Sequence, residues 1–156
     1  MIYLLVGDIR TGKTTSIYNA VIKRDDVGGF LTPDVDGTRM LYDIASRKRY
    51  PFQVDFGSSD QTIKVGRFNF LSSAFDKGRE IIFDQLNSAS VLYLIIDEVG
   101  KLELEDQGFH SLVNILMEKK IDKDVILVVR SFLVEEVVNK YQLRNHKIIN
   151  DINLVL

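Results

Sequence analysis

The chain contains no cysteine, which excludes a disulfide framework, a thiolate zinc site and a cysteine nucleophile. It has no excess charge of either sign. A formal net charge of −2 gives no bulk field to draw in a nucleic-acid backbone, and argues against a dedicated DNA or RNA binder. No apolar run is long enough to span a membrane. The opening run Met1–Val6 is too short for a signal segment and lacks a basic leader, and the longest later run is ended by Asp97 and Glu98. A cytoplasmic protein is the expectation. No His/Asp/Glu spacing suggests zinc. What remains is an ordinary globular balance, 46% hydrophobic and 27% charged over 156 residues, enough for a single domain spanning residues 1–156 with a real core.

Apolar runs of strand length alternate with helical patterns, which predicts βα units, a mainly parallel sheet and an α/β fold. Ile2–Val6 and Val91–Ile96 read as strands covered on both faces, as does Val125–Val129. Helices are expected from Lys13 to about Lys23, from Ser72 (as N-cap) to Asn87, over Asp106–Lys120 and over Phe132–Tyr141. Between Val27 and Val54 the pattern is short and alternating, with a turn at Asp36-Gly37, and predicts an antiparallel β meander. Arg47-Lys48-Arg49 falls at an exposed turn of it, read as a solvated turn rather than a phosphate patch. Residues 56–69 read mostly as loop, and a short last strand is expected at 147–150 or 152–156.

Gly7-Asp8-Ile9-Arg10-Thr11-Gly12-Lys13-Thr14 matches G-x-x-x-x-G-K-[ST] in full. The two glycines allow backbone conformations and close approach that a Cβ would obstruct, so successive N–H groups can converge on an anion. Lys13 supplies positive charge to β- and γ-phosphates. Thr14 supplies a hard oxygen for Mg²⁺, and the helix that follows presents its unpaired N–H groups. An all-apolar strand before Gly7 and a helical stripe after Lys13 give the motif its required context. The stretch Gly7–Thr15 is therefore the expected cradle for ATP or another nucleoside triphosphate.

Asp97 and Glu98 end a buried strand, where a parallel sheet opens its ligand crevice. Asp97 is assigned to Mg²⁺ with Thr14, and Glu98 to polarising the attacking water. Asp97-Glu98-Val99-Gly100 also satisfies the D-x-x-G of GTPase switches. A guanine-reading N-K-x-D is missing, because Asn139-Lys140-Tyr141 is followed by Gln142. The Asp-Glu reading takes precedence. Arg130, at the end of the strand 125–129, is a candidate to stabilise charge on the transferred phosphoryl group. Arg67 and Lys101 are weaker candidates, and His110 and His146 read as ordinary surface or boundary residues. Phe30, Phe68 and Phe70 read as core rather than as stacking platforms.

Four blocks in order resemble the small nucleoside-triphosphatases of the THEP type, the cancer-related NTPase family. They are the loop ending Gly12-Lys13-Thr14-Thr15, then Gly28-Gly29-Phe30-Leu31-Thr32-Pro33, then Val65-Gly66-Arg67-Phe68, and Ile96-Asp97-Glu98-Val99-Gly100-Lys101-Leu102-Glu103. The last is the most distinctive, being longer than a generic strand-end acidic signal. The resemblance implies a three-layer, RecA-like P-loop fold. It also implies slow hydrolysis of ATP, GTP and other triphosphates with little base selectivity, and nucleotide contacts from 7–14 and about 96–103. The chain departs from the family's usual Gly-Pro-Pro-Gly-x-Gly-Lys-Thr at Asp8, Ile9 and Arg10, which places a carboxylate near the phosphates and an Arg able to offset it. Two rival readings stand beside hydrolysis. One is a small-molecule or nucleotide kinase, for which no Arg-rich lid insertion is visible although the meander at 28–54 can cover the site. The other is a nucleotide-gated binding module.

Overall fold

A computed structural model describes residues 1–8, 12–57 and 60–156. Its elements run β1 (Ile2–Gly7), α1 (Lys13–Val21), β2 (Val27–Leu31), β3 (Asp34–Val35), β4 (Thr38–Asp43), β5 (Arg49–Pro51), β6 (Gln53–Val54), β7 (Thr62–Val65) and β8 (Phe68–Leu71). There follow α2 (Ser72–Leu86), β9 (Tyr93–Val99), α3 (Lys101–Leu104), α4 (His110–Glu118), β10 (Asp124–Arg130), α5 (Val134–Lys140) and β11 (His146–Ile149). Among the described residues no helix is long and apolar enough to cross a membrane.

The main sheet is ordered β11-β1-β10-β9-β2-β4-β3, with β5 on β4. From β11 to β2 every pairing is parallel, and the antiparallel part begins at β4. Parallel strands must return through crossovers, and the helices of those crossovers cover both faces. The alternation along each strand sorts the core accordingly. Leu4, Ile96 and Leu127 pack on one face with α2 and α4, through Phe75, Ile82, Leu112 and Leu116. Leu5, Ile95, Ile126 and Val128 pack on the other with Ile17 and Val21 of α1 and Ile152 near the C-terminus. Side chains of successive residues point to opposite faces, so an unbroken apolar run is what a doubly covered strand requires.

Several local expectations change, among them the helix expected over Asp106–Lys120, which runs only from His110 to Glu118. Val27–Leu31 is wholly buried and pairs in parallel with β9, as well as antiparallel with β4, so it belongs to the central sheet as much as to the meander. The stretch 56–69, expected to be mostly loop, contains β7 and the start of β8, which form a hairpin turning at Gly66-Arg67 and, with β6, a separate three-stranded antiparallel sheet. Ile63 and Phe70 of that sheet pack on the core, which supplies the tertiary support its four-residue strands lack alone. Ser72 is the first residue of α2 rather than its cap, since Leu71 holds the N-cap position without a side-chain bond.

Candidate active site

The carboxyl ends of the parallel strands place the candidate residues side by side. Gly7, the last residue of β1, lies in register with Arg130, the last of β10. Val99 of β9 pairs with Val129, so Asp97 and Glu98 reach the same edge. Phe30 of β2 pairs with Ile96, which carries Thr32 to the flank of Asp97. Crevices of this kind form outside the strand carboxyl ends in open α/β sheets.

Both glycines of the loop have a geometric reason. A Cβ on Gly7 would lie 2.8 Å from Lys13 Cδ, so the missing side chain is the space through which the lysine stem passes. Gly12 has φ 76°, the left-handed region that glycine enters without a steric penalty, and it sits at the N-cap of α1. Lys13 Nζ donates to the Asp8 carbonyl at 2.6 Å, and the Asp8 carboxylate accepts from the Ser131 hydroxyl, which ties the loop mouth to the end of β10. Ile9, Arg10 and Thr11, expected in the cradle, lie outside the described residues.

Asp97 is 1% exposed, and one of its oxygens accepts two hydrogen bonds. Thr14 Oγ1 and the Thr32 N–H each donate to Oδ2 at 3.0 Å. Burial pushes the carboxyl up from its ordinary range, with the Glu98 charge adding to it. The two hydrogen bonds and the Arg39 guanidinium pull the other way. A buried carboxylate and a threonine hydroxyl at this separation form a pair of hard oxygen donors, the set Mg²⁺ takes from a protein when phosphates and water complete its shell. Among the described residues no group of three or more His, Cys, Asp or Glu is placed to hold a metal. The peptide bond joining Asp97 to Glu98 is cis. Glu98 Oε1 forms an ion pair with Arg130 Nε at 2.5 Å.

Just beyond, Glu103 is 3% exposed and accepts from the N–H groups of Gly100 at 2.8 Å and Phe109 at 2.9 Å. It thereby fixes the turn by which the chain leaves the acidic pair. Burial raises its carboxyl to about 7 against those two hydrogen bonds.

A cleft of about 740 Å³ brings Asp8, Gly12, Lys13, Thr14, Thr15, Asp97, Glu98 and Arg130 together. Gly7 borders an adjoining hollow of about 350 Å³ on the other flank of the loop. Of the weaker candidates, Arg67 lines the cleft and Lys101 does not. His110 bonds with Tyr141 and Asn114, and His146 with the Leu143 carbonyl, both away from the cleft. Phe30 is core, whereas Phe68, 37% exposed, lines the cleft. Reasoning from sequence missed Tyr18, Arg39, Gln53 and the Thr32 amide as parts of this wall, and set Arg49 aside as a solvated turn. Only Thr32 carried a signal, as part of the Gly-Gly-Phe-Leu-Thr-Pro block.

A doubly covered, mainly parallel sheet with this loop and acidic pair at its carboxyl edge defines a P-loop NTPase. The family model described as NTPase matches residues 2–154, and the chain belongs to that family of nucleoside-triphosphate hydrolases. Among solved structures it is similar to THEP1 from the hyperthermophile Aquifex aeolicus, at 25% identity and a TM-score of 0.69, covering 96% of this chain and 88% of that one. It also shares the fold of a human cancer-related nucleoside triphosphatase, at 22% identity and a TM-score of 0.64, covering 96% and 87%. No curated protein matches the chain.

Proposed function

We propose that the chain hydrolyses ATP, GTP and other nucleoside triphosphates to diphosphate and phosphate, with Mg²⁺ and with little selection among bases. The observation that carries this reading is the 3.0 Å bond between Thr14 and Asp97, which joins the first turn after the phosphate loop to the acidic strand end. It sits in the cleft that Lys13, Glu98 and Arg130 also line. Lys13 exchanges the Asp8 carbonyl for the β- and γ-phosphates. Thr14 and Asp97 would hold the magnesium ion, which when bound neutralises charge on the phosphate oxygens. Glu98 orients a water and takes its proton as the water oxygen bonds to the γ-phosphorus. The bond from that phosphorus to the β–γ bridging oxygen breaks, and the electron pair leaves with the diphosphate. Arg130 moves from Glu98 toward the γ-phosphoryl oxygens, where its fork can bind two of them. Low base selectivity follows from the resemblance to THEP-type enzymes. The test is phosphate release from ATP, GTP, CTP and UTP, with and without Mg²⁺, by the wild type and Lys13→Ala. Comparable turnover of all four that needs both Mg²⁺ and Lys13 supports the reading; turnover indifferent to Lys13 overturns it.

A further inference from the structure

The cleft has room for more than one attacking water, and Arg39, Arg49 and Arg67 line it together with Asp34. Asp97, Glu98 and Arg130 line the 740 Å³ cleft and not the 350 Å³ hollow, whereas Asp8 and Lys13 border both. With its γ end beside Asp97, Glu98 and Arg130 in the cleft, a triphosphate has the adjoining hollow past Gly7, Ser16 and Asn150 open to its nucleoside. The space beyond the γ-phosphate belongs to whatever attacks it. A water occupies about 30 Å³.

Arg39, Arg49 and Arg67 close that space from three separate segments: β4, β5 and the β7–β8 turn. Among the described residues none of the three forms an ion pair with an acid, unlike Arg130. Arg49 and Arg67 lie against rings, and Arg39 is held by a neutral carbonyl beside Asp97, whose carboxyl its charge also reaches. Arg39 donates to the Thr32 carbonyl at 3.2 Å, Arg49 lies 6.0 Å from the centre of the Tyr42 ring, and Arg67 lies 5.0 Å from that of Phe68. Stacking on a ring leaves the edge of a guanidinium, with its N–H groups, available to an anion. Two stacked guanidiniums with Arg39 beside them offer more N–H groups than one carboxylate can take and suit a dianionic phosphate.

We propose that this wall is an acceptor subsite for a phosphate monoester, and that the chain transfers the γ-phosphoryl group to it in competition with water. A phosphate oxygen of the monoester bonds to the γ-phosphorus, and the bond to the β–γ bridging oxygen breaks with its electron pair leaving on the nucleoside diphosphate. The products are that diphosphate and a diphosphate ester of the acceptor, and no proton has to move. The proposal rests on the triphosphatase reading, so its test measures the two in sequence.

A β,γ-imido triphosphate analogue with Mg²⁺ is first titrated into the protein by calorimetry. AMP, CMP, GMP and UMP are then each titrated into the complex saturated with it. Absence of analogue binding overturns the nucleotide reading and the subsite with it. Analogue binding with no monophosphate bound, or with monophosphate bound only by displacing the analogue, overturns the subsite alone. The expected result is a ternary complex with at least one monophosphate, weakened tenfold or more in Arg49→Gln/Arg67→Gln. Both residues are exposed, and circular dichroism checks that the variant is folded. Unchanged monophosphate affinity in that variant overturns the proposal. In turnover with γ-labelled ATP, label on the diphosphate of the bound acceptor supports transfer, and label in inorganic phosphate alone overturns it.

Discussion

Arg130 and Glu98 are bound to one another at 2.5 Å, the proposed transition-state cation to the proposed general base. While paired, each of the two groups is engaged by the other. A γ-phosphate entering the cleft offers Arg130 a stronger bidentate partner and releases Glu98 toward water. Glu98→Gln keeps the shape of the side chain and one acceptor oxygen but cannot take a proton. It is expected to bind triphosphate within about threefold of wild type and to lose on the order of 10²–10⁴ in kcat. Single-turnover phosphate release alongside a binding titration separates the two, and unchanged turnover removes Glu98 from the chemistry.

Arg130→Ala distinguishes a catalytic arginine from a mere counter-ion. If its task is to bind charge that grows in the transition state, kcat falls by about 10²–10³ while KM changes little. A KM effect alone would mean that it binds the ground state.

Lys13 is the only lysine among the described residues lining the cleft, and its stem passes through the space left open at Gly7. Lys13→Ala is expected to weaken triphosphate binding tenfold or more, about 1.4 kcal/mol, measured by displacement of a fluorescent nucleotide. Gly7→Ala should act in the same direction by a different route. The added methyl meets the lysine stem, so that variant also lowers Lys13's reach without removing its charge. Wild-type affinity in Gly7→Ala would mean that the stem repacks freely.

The phosphate loop and the acidic pair were legible because each is a contiguous run whose chemistry and flanking strand or helix are local. Thr14 and Asp97 could be paired in the sequence as two hard-oxygen side chains, and the structure joins them by a hydrogen bond of 3.0 Å. The arginine wall was not legible. Arg49 reaches the cleft because β5 pairs with β4 in the register that sets it opposite Tyr42. Arg67 does so because β7 and β8, four residues each, fold onto the core through Ile63 and Phe70. In such short strands the alternation of Thr62, Ile63, Lys64 and Val65 is too brief to stand out from loop, and tertiary packing decides. For β2 the two glycines thinned the apolar run, which hid a central strand inside what read as a meander.

Thr14 and Asp97 make a prediction about metal dependence. Thr14→Val preserves the side-chain shape but removes the oxygen, so half-maximal hydrolysis should need at least tenfold more Mg²⁺ with the fold intact. Asp97→Asn goes further. Thr14 and Thr32 both donate to one oxygen of Asp97, so an amide can keep its own oxygen on those two donors and lose only the negative charge. That variant should lose Mg²⁺ response while its urea midpoint stays close to wild type. A Thr14→Val profile superposable on wild type would exclude the hydroxyl from the metal site.

Glu103 links the acidic turn to stability through pH. Burial holds its carboxyl at about 7 in the folded chain against an ordinary 4.5, with the Glu98 charge contributing. The folded state therefore binds a proton that the unfolded state has released anywhere between those values. For a raised carboxyl, the contribution is fully present below the unfolded value and is lost as pH climbs through the folded one. Over that window the loss amounts to about 3 kcal/mol. Glu103→Gln removes the titration. It also leaves one of the two backbone donors, Gly100 or Phe109, without an acceptor, a constant offset that pH does not change. Urea unfolding of both proteins from pH 4.5 to 8 should show wild type losing stability relative to Glu103→Gln as pH rises. Parallel curves would mean that the buried carboxylate is already ionised at the acid end, with its two N–H bonds outweighing burial.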